Sequence, residues 1–459
     1  MAIHLAMGRR ATTLCVMLLL ALAGTGVRAE TDAERIRRLE QHLAANQRLI
    51  EQLAARVAEL ERTAASGAVA KGEAARVPAV AASAAPTDQA KAIVSLQDSV
   101  NQISEGLGRR DAESGLPLHG FADVSAGWSS ARDPQRLRGF NAGSLDVYLT
   151  PQIGDRAKAL VEVVFESLPG GEQEVDPERL QIGYTVNDAM TMWIGRFHTP
   201  MGQWNTLFHH GANLQNGISR PRFIDFEDKG GLLPTHTVGL WANGKLRLGG
   251  SQLSYDGYVG NGPSIRDRNL QVNIFSDDNG SKLYGFNLGY LPQRMFGGLT
   301  VGLHGMATRV NTYSTGGAAR NSTRLRMSGT YLGYDANGWD VLAEAYRLAN
   351  REAGSSERRS STLWFVQVAR ALGLWTPFAR FEKTHLDPAD PYFTNQAVGR
   401  SYRRVTTGLR YELHPRAALK VEFSETRESA ALLVDGEGVV QPFDAAQYRR
   451  TAIEYSIAF

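Results

Sequence analysis

Large apolar residues alternate with small or polar ones through most of the chain beyond Leu116, and the final residues show the pattern most plainly. Ile453, Tyr455, Ile457 and Phe459 are bulky, whereas Glu454, Ser456 and Ala458 between them are polar or small. Successive side chains of a strand point to opposite faces, so such a segment has one oily and one wet side. The pattern recurs. Ala159, Val161, Val163 and Phe165 oppose Lys158, Glu162 and Glu166. Leu299, Val301 and Leu303 oppose Thr300, Gly302 and His304, and Leu419, Val421 and Phe423 oppose Lys420, Glu422 and Ser424. Strands are predicted at 118–128, 140–151, 157–167, 178–187, 190–198, 236–243, 245–259, 282–291, 299–310, 323–334, 339–348, 362–371, 376–385, 400–413, 417–427 and 448–459. That is roughly sixteen, an even number suited to a closed sheet. A soluble β-sandwich gives similar alternation, so single strands do not choose between the two.

The joints add a rhythm. Short turn signals, among them Asn187-Asp188, Asn243-Gly244, Pro292-Gln293, Asn337-Gly338 and His414-Pro415, alternate with longer polar stretches such as Asp387 to Gly399. Short turns at one end and long loops at the other are the layout of a barrel in an outer membrane. Trp193, Trp241, Trp339, Trp364 and Trp375 fall on or near strand ends, where an interfacial girdle would place them.

The first 116 residues follow other periods. Arg9 and Arg10 precede an apolar run, Ala11 to Ala23, and Val27-Arg28-Ala29 offers a small-residue cleavage site; residues 1–29 thus read as a signal peptide. Ile36, Leu39, Leu43, Asn46, Ile50, Leu53, Val57 and Leu60 alternate spacings of three and four, the seam of a coiled coil over 30–62. An Ala-rich stretch with Pro78 and Pro86, 63–90, reads as a linker, and a short helix is predicted over 91–110. The fold expected is therefore an all-β transmembrane barrel of roughly sixteen antiparallel strands, 117–459, with an N-terminal α-helical coiled-coil arm.

Composition removes several alternatives. The only cysteine, Cys15, lies in the signal segment, so disulfides cannot staple the fold. Removal of Arg9, Arg10 and Arg28 leaves 47 basic against 47 acidic residues, a balance that gives no footing for nucleic acid. No G-x-S-x-G nucleophile motif occurs. His209-His210, with His198 and His236, has no compact zinc spacing, so a packing role is expected and no metal. No catalytic residue and no cofactor are expected.

One long segment, His198 to Pro234, breaks the alternation. It follows Gly195-Arg196-Phe197-His198-Thr199-Pro200-Met201-Gly202, which resembles the GR-x-x-TP-x-G motif of porins, notably the phosphate-selective porin O/P family. The terminal aromatic resembles the closing strand of bacterial outer-membrane barrels. With the coiled coil, the chain is similar to the DcaP-like trimeric porins. The resemblance implies an outer-membrane diffusion channel for small hydrophilic, charged solutes. It also implies a homotrimer in outer-membrane lipid with the arm in the periplasm. Whether that arm touches peptidoglycan is left open, and heptad chemistry by itself favours a dimer.

In such porins a long loop folds inward and narrows the lumen. Carried over, this puts Arg196, His198, Arg220, Arg222, Asp225, Glu227, Asp228 and Lys229 at the constriction. Alternation further puts Arg324, Arg326, Arg380, Arg404, Arg410 and Lys420 on the lumen face with Glu162, Asp340 and Glu344. Two readings of these charges stand: a transverse field acting on solutes, or cross-strand pairs that solvate the wall. A one-sided arginine ladder, which strict phosphate selectivity would need, is absent from the sequence. The alternative to a pore is a structural or adhesive barrel that anchors the coiled coil.

Overall fold

Alternation at period two becomes one closed antiparallel sheet in a computed structural model that describes residues 118–131, 138–167, 173–208, 212–227, 229–292 and 297–459. The signal peptide, coiled coil, linker and second helix lie outside the described residues. The sixteen staves are β1 Leu118–Ser129; β2, in two segments Gly139–Asn141 and Ser144–Leu149; β3 Ala157–Ser167; β4 Gln173–Asn187; β5 Met190–His198; β6 His236–Leu248; β7 Ser251–Asn261; and β8 Lys282–Leu291. They continue as β9 Leu299–Tyr313, β10 Ala319–Ala336, β11 Trp339–Glu352, β12 Arg359–Arg370, β13 Trp375–His385, β14 Tyr402–His414, β15 Ala417–Glu428 and β16 Ala446–Ala458. Each stave pairs with the next. The ring closes where β16 pairs with β1 from Phe121↔Ala458 to Ser129↔Arg450. The seam extends to the end of the chain: the Gly120 and Phe459 N–H groups each donate to the other's carbonyl, at 3.1 and 3.0 Å. Among the described staves this closure leaves no open edge for another strand to pair with.

The faces separate as the alternation predicts. Leu240, Leu303, Leu332, Phe381, Val421, Ile453 and Tyr455 are exposed on the outside. Glu454 and Ser456, between the last two and beyond, are buried inside. The interior is not a water-filled cylinder along its whole circumference. Trp204, Phe223, Ile224, Leu232 and Leu233, from the long segment between β5 and β6, pack against Leu325, Leu342, Leu348 and Phe365 of the wall. Tyr392 and Phe393 join this core from α2 (Pro391–Thr394), in the β13–β14 loop.

Three expectations are corrected. The β6–β7 turn lies at Gly249-Gly250, where Gly249 has φ +63°, and not at Asn243-Gly244. Gly244 stays inside the strand because the Ala189 carbonyl approaches where a Cβ would stand. Trp193 and Trp241 are not girdle residues: their rings stack 6.0 Å apart beside Phe197 of the interior. Arg324 and Arg326 face outward, on the side opposite the buried Leu325 and Met327. The apolar core displaces charge from the inner face of β10, so its parity is the reverse of the expected one.

Candidate functional site

The segment between β5 and β6 is held first at its root. The Thr199 N–H donates to the Thr235 carbonyl at 2.8 Å, and the two Thr199 and Thr237 hydroxyls meet at 2.7 Å. Asn205, fully buried, bridges the carbonyls of Thr199 and Thr235 with its amide at 2.9 and 3.0 Å. A single helical turn, α1 (Trp204–Leu207), begins where the Glu344 carboxylate accepts the Gln203 and Trp204 N–H groups at 2.8 and 2.5 Å. Gly202, at φ +66°, permits this approach, since a Cβ there would collide with the Glu344 carboxylate.

Beyond α1 the chain has no sheet partner, and buried backbone groups left unpaired cost roughly 1–3 kcal/mol each. The wall supplies the partners, sorted by sign. Cationic groups take carbonyls. Lys420 donates to the Ala212 and Gly217 oxygens, Arg410 to those of Asn213 and Gln215, and Arg380 to the Arg220 oxygen at 3.2 Å. Carboxylates take N–H groups. Glu422 accepts from Ile218 and Ser219 at 2.8 and 3.0 Å, and Glu382 accepts from Arg222 at 2.7 Å. The Ser219 hydroxyl donates to Glu422 and accepts from Arg404 at 2.7 Å. Asp340 accepts from the Asn216 amide at 2.6 Å, and Asn213 meets Ser456 at 3.3 Å. Both signs are therefore present on the inner wall because a peptide backbone presents both donors and acceptors.

The charges expected at the constriction do not stay together. Arg220 is buried within the segment itself, where it donates to the Ile224, Phe208 and Asn205 oxygens and lies over the Phe226 ring. Burial pushes it down to about 10, so it stays a cation at neutral pH. Arg222 turns to the wall, pairing with Glu428 and donating to the Tyr448 hydroxyl at 3.2 Å. Asp225 and Lys229 are the partly open members, and Lys229 pairs with Glu166 of β3. Asp228 and the His209-His210 pair lie outside the described residues.

The remaining candidates form a second cluster at the root. His236 stands between Glu178 and Glu227, its two ring nitrogens 2.6 and 2.8 Å from their oxygens. Burial pulls the Glu227 carboxyl upward, but His236 and the Thr235 hydroxyl outweigh it and hold the group below its usual range. Arg196 pairs with Asp176 at 3.1 Å and Glu178 at 3.3 Å, while Glu162 takes Arg179 and lies 3.5 Å from His198. Glu178, Glu428 and Asn205 were not singled out from sequence. Glu428 shares the parity of Lys420 and Glu422, which would have found it; Glu178 falls at a bulge between Glu162 and Val163 pairings, where parity fails.

No family model and no curated protein sequence matches the chain. Solved structures do. The anion-selective porin of Comamonas acidovorans has 13% identity and a TM-score of 0.50, over 75% of this chain and 99% of that one. OmpT of Vibrio cholerae in its trimer form has 12% identity and a TM-score of 0.48, over 75% and 99%. The outer membrane channel DcaP of Acinetobacter baumannii has 12% identity and a TM-score of 0.44, over 75% and 97%. The sixteen-stave closure, the apolar outside and the first of these likenesses agree on one statement: the chain has the fold of a porin-like β-barrel.

Proposed function

We propose that the chain is an outer-membrane porin that passes small hydrophilic, charged solutes by passive diffusion through a lumen narrowed by residues 199–235. The observation that supports this most is the bonding of that segment to inner-wall side chains on β11 and β13–β16, inside a ring whose outer face is apolar. On this reading the partly open Asp225 and Lys229, rather than the buried wall charges, meet the solute. The narrowing segment thus acts through its partly open end, and charge preference is set there. The protein would assemble as a homotrimer, with the N-terminal arm on the periplasmic side.

A second reading is favoured by one observation, the complete burial of Trp204, Phe223 and Ile224 in the barrel interior. A barrel closed by that core would serve as an anchor for the arm. Planar-bilayer recording separates the two. Steady conductance that rises on deletion of 203–230 supports the porin, and protein that inserts without channel events in either form supports the anchor. Reversal potentials under a salt gradient then give the sign of the charge preference.

A further inference from the structure

The outer face of β9–β11 carries a charge pattern that the pore does not use. Arg324 of β10 stands directly across from Arg309 of β9 on one side and Arg351 of β11 on the other, so three arginines form a row across three staves. Arg326 is on the same face opposite Ala307, and Arg347 opposite Ser328. Directly opposed side chains of a sheet have Cβ atoms about 4.5–5.5 Å apart, and like charges at that spacing destabilise the pair. None of these five guanidiniums has a carboxylate within ion-pair distance among the described residues. Along β9–β16 the one outward carboxylate, Glu425, is held by Arg427 and Arg449 at 2.9 Å each.

The height of the row is informative. Arg324 is ten residues from Tyr334 along the same strand, towards the long-loop end. At ~3.3 Å per residue and a tilt of about 40°, this separation is about 25 Å, the height of the apolar band of such a barrel. Between them the outward positions run Leu332, Thr330, Ser328 and Arg326, with Arg347 across from Ser328, so this face turns from apolar to polar and then to basic, and the row of three arginines ends it at the long-loop side. That level is occupied by lipid headgroups.

We propose that this row is a docking site for the phosphate groups of a lipid headgroup in the leaflet at the long-loop side. An anion there would convert the mutual repulsion of Arg309, Arg324 and Arg351 into bridging hydrogen bonds, and guanidinium matches phosphate in geometry and charge. A second copy of the chain, meeting this face through β9–β16, is the poorer partner because the one outward carboxylate of those described staves is already paired. The small neighbours Ala307, Ser328 and Ala349 leave room for a headgroup beside the guanidiniums. The proposal rests on insertion in an outer membrane, but not on conduction.

The test is native mass spectrometry of the full-length protein in detergent, titrated with lipid A and, separately, with dephosphorylated lipid A. Lipid A should be retained in a salt-sensitive manner, and the dephosphorylated form should not. The triple variant Arg309→Gln, Arg324→Gln, Arg351→Gln should bind lipid A about a hundredfold more weakly, from ~1 kcal/mol per cation. If the triple variant fails to fold, Arg326→Gln with Arg347→Gln should still lose affinity by tenfold or more. Equal retention of both lipids, or unchanged retention by the variants, overturns the proposal. So does an oligomer that forms without lipid yet depends on the arginines, or full displacement of the lipid by millimolar inorganic phosphate. Conductance measured on the same preparations keeps the two readings apart. A conducting protein blind to the phosphates refutes only the docking site, and a silent one that binds lipid A refutes only the pore.

Discussion

Glu422→Ala is the sharpest perturbation of the clasp that holds the 199–235 segment. The Glu422 carboxylate is almost wholly buried and takes two backbone N–H groups and the Ser219 hydroxyl, with Arg404 3.7 Å away. Its removal leaves those donors and a guanidinium in a dry wall. Hydrogen bonds to a charged group contribute ~1.5–3 kcal/mol each, and deletion of one partner of a buried ion pair costs ~3–5 kcal/mol. The two figures describe overlapping losses and are not added. A cost of ~3–5 kcal/mol falling on the docked segment raises its opening constant by about 10²- to 10⁴-fold, at ~1.4 kcal/mol per tenfold. The barrel should survive, because the strand pairings of residue 422 with Gly408 and Ala452 use its backbone alone. Single-channel recording and hydrogen exchange over 212–222 read the result. Expected are frequent transitions to a higher conductance and faster exchange of the Ile218 and Ser219 amides, with the folded band on unheated gels unchanged. Wild-type conductance together with wild-type exchange would refute the clasp.

Three further predictions address separate parts of the molecule. Gly202→Ala should expel Glu344 from the start of α1, since the position combines φ +66° with a Cβ collision; amide exchange at 203–207 should accelerate, and unchanged protection there contradicts the reasoning. Asp390 caps α2 and accepts from the Asn350 amide at 2.8 Å, and burial pushes its carboxyl up to about 6. An acid whose pKa is raised on folding contributes most below its unfolded value near 4 and loses that contribution as pH rises through 6. Asp390→Asn should therefore protect the 386–401 loop from proteolysis at pH 8 and have little effect at pH 4.5, by at most about 3 kcal/mol; the opposite pH trend would sink it. Deletion of Phe459 removes both of its bonds to Gly120, and membrane-inserted, heat-modifiable barrel at wild-type yield would contradict a role for the terminal residue in closure.

The staves were legible because a barrel wall enforces period two on nearly every residue, and on most staves the outer face is the apolar one. Legibility failed where the interior stopped being water. Leu325 and Met327 face an apolar core, so β10 carries leucine and methionine inside and arginine outside, the reverse of the rule. The same core took Trp193 and Trp241 from the girdle. Gly244 resembled a turn because glycine serves equally well where another backbone approaches closely, and a sequence does not distinguish the two uses. For the loop, charge type and face were readable for Arg380, Arg404, Arg410, Lys420, Asp340 and Glu344, whereas their occupation was not. A carboxylate that meets a solute and one that receives a backbone N–H have the same letter. Only the path of 199–235 through the interior assigns them.

The seam between β1 and β16 has a kinetic consequence. Phe121 and Ala458 are paired neighbours that lie more than three hundred positions apart along the chain, whereas every other stave pairs with a near neighbour in sequence. Hairpins can zip in order as the polypeptide is made, but the first stave must wait with a bare row of amides until the last arrives. Long-range pairing of this kind is slow and leaves edges open to wrong partners. A sheet that waits in water for its last strand also has the outward Leu240, Phe381 and Tyr455 uncovered. The final strand to be made is thus the one that ends the exposure of the first, and until it docks the sheet has two open edges instead of none.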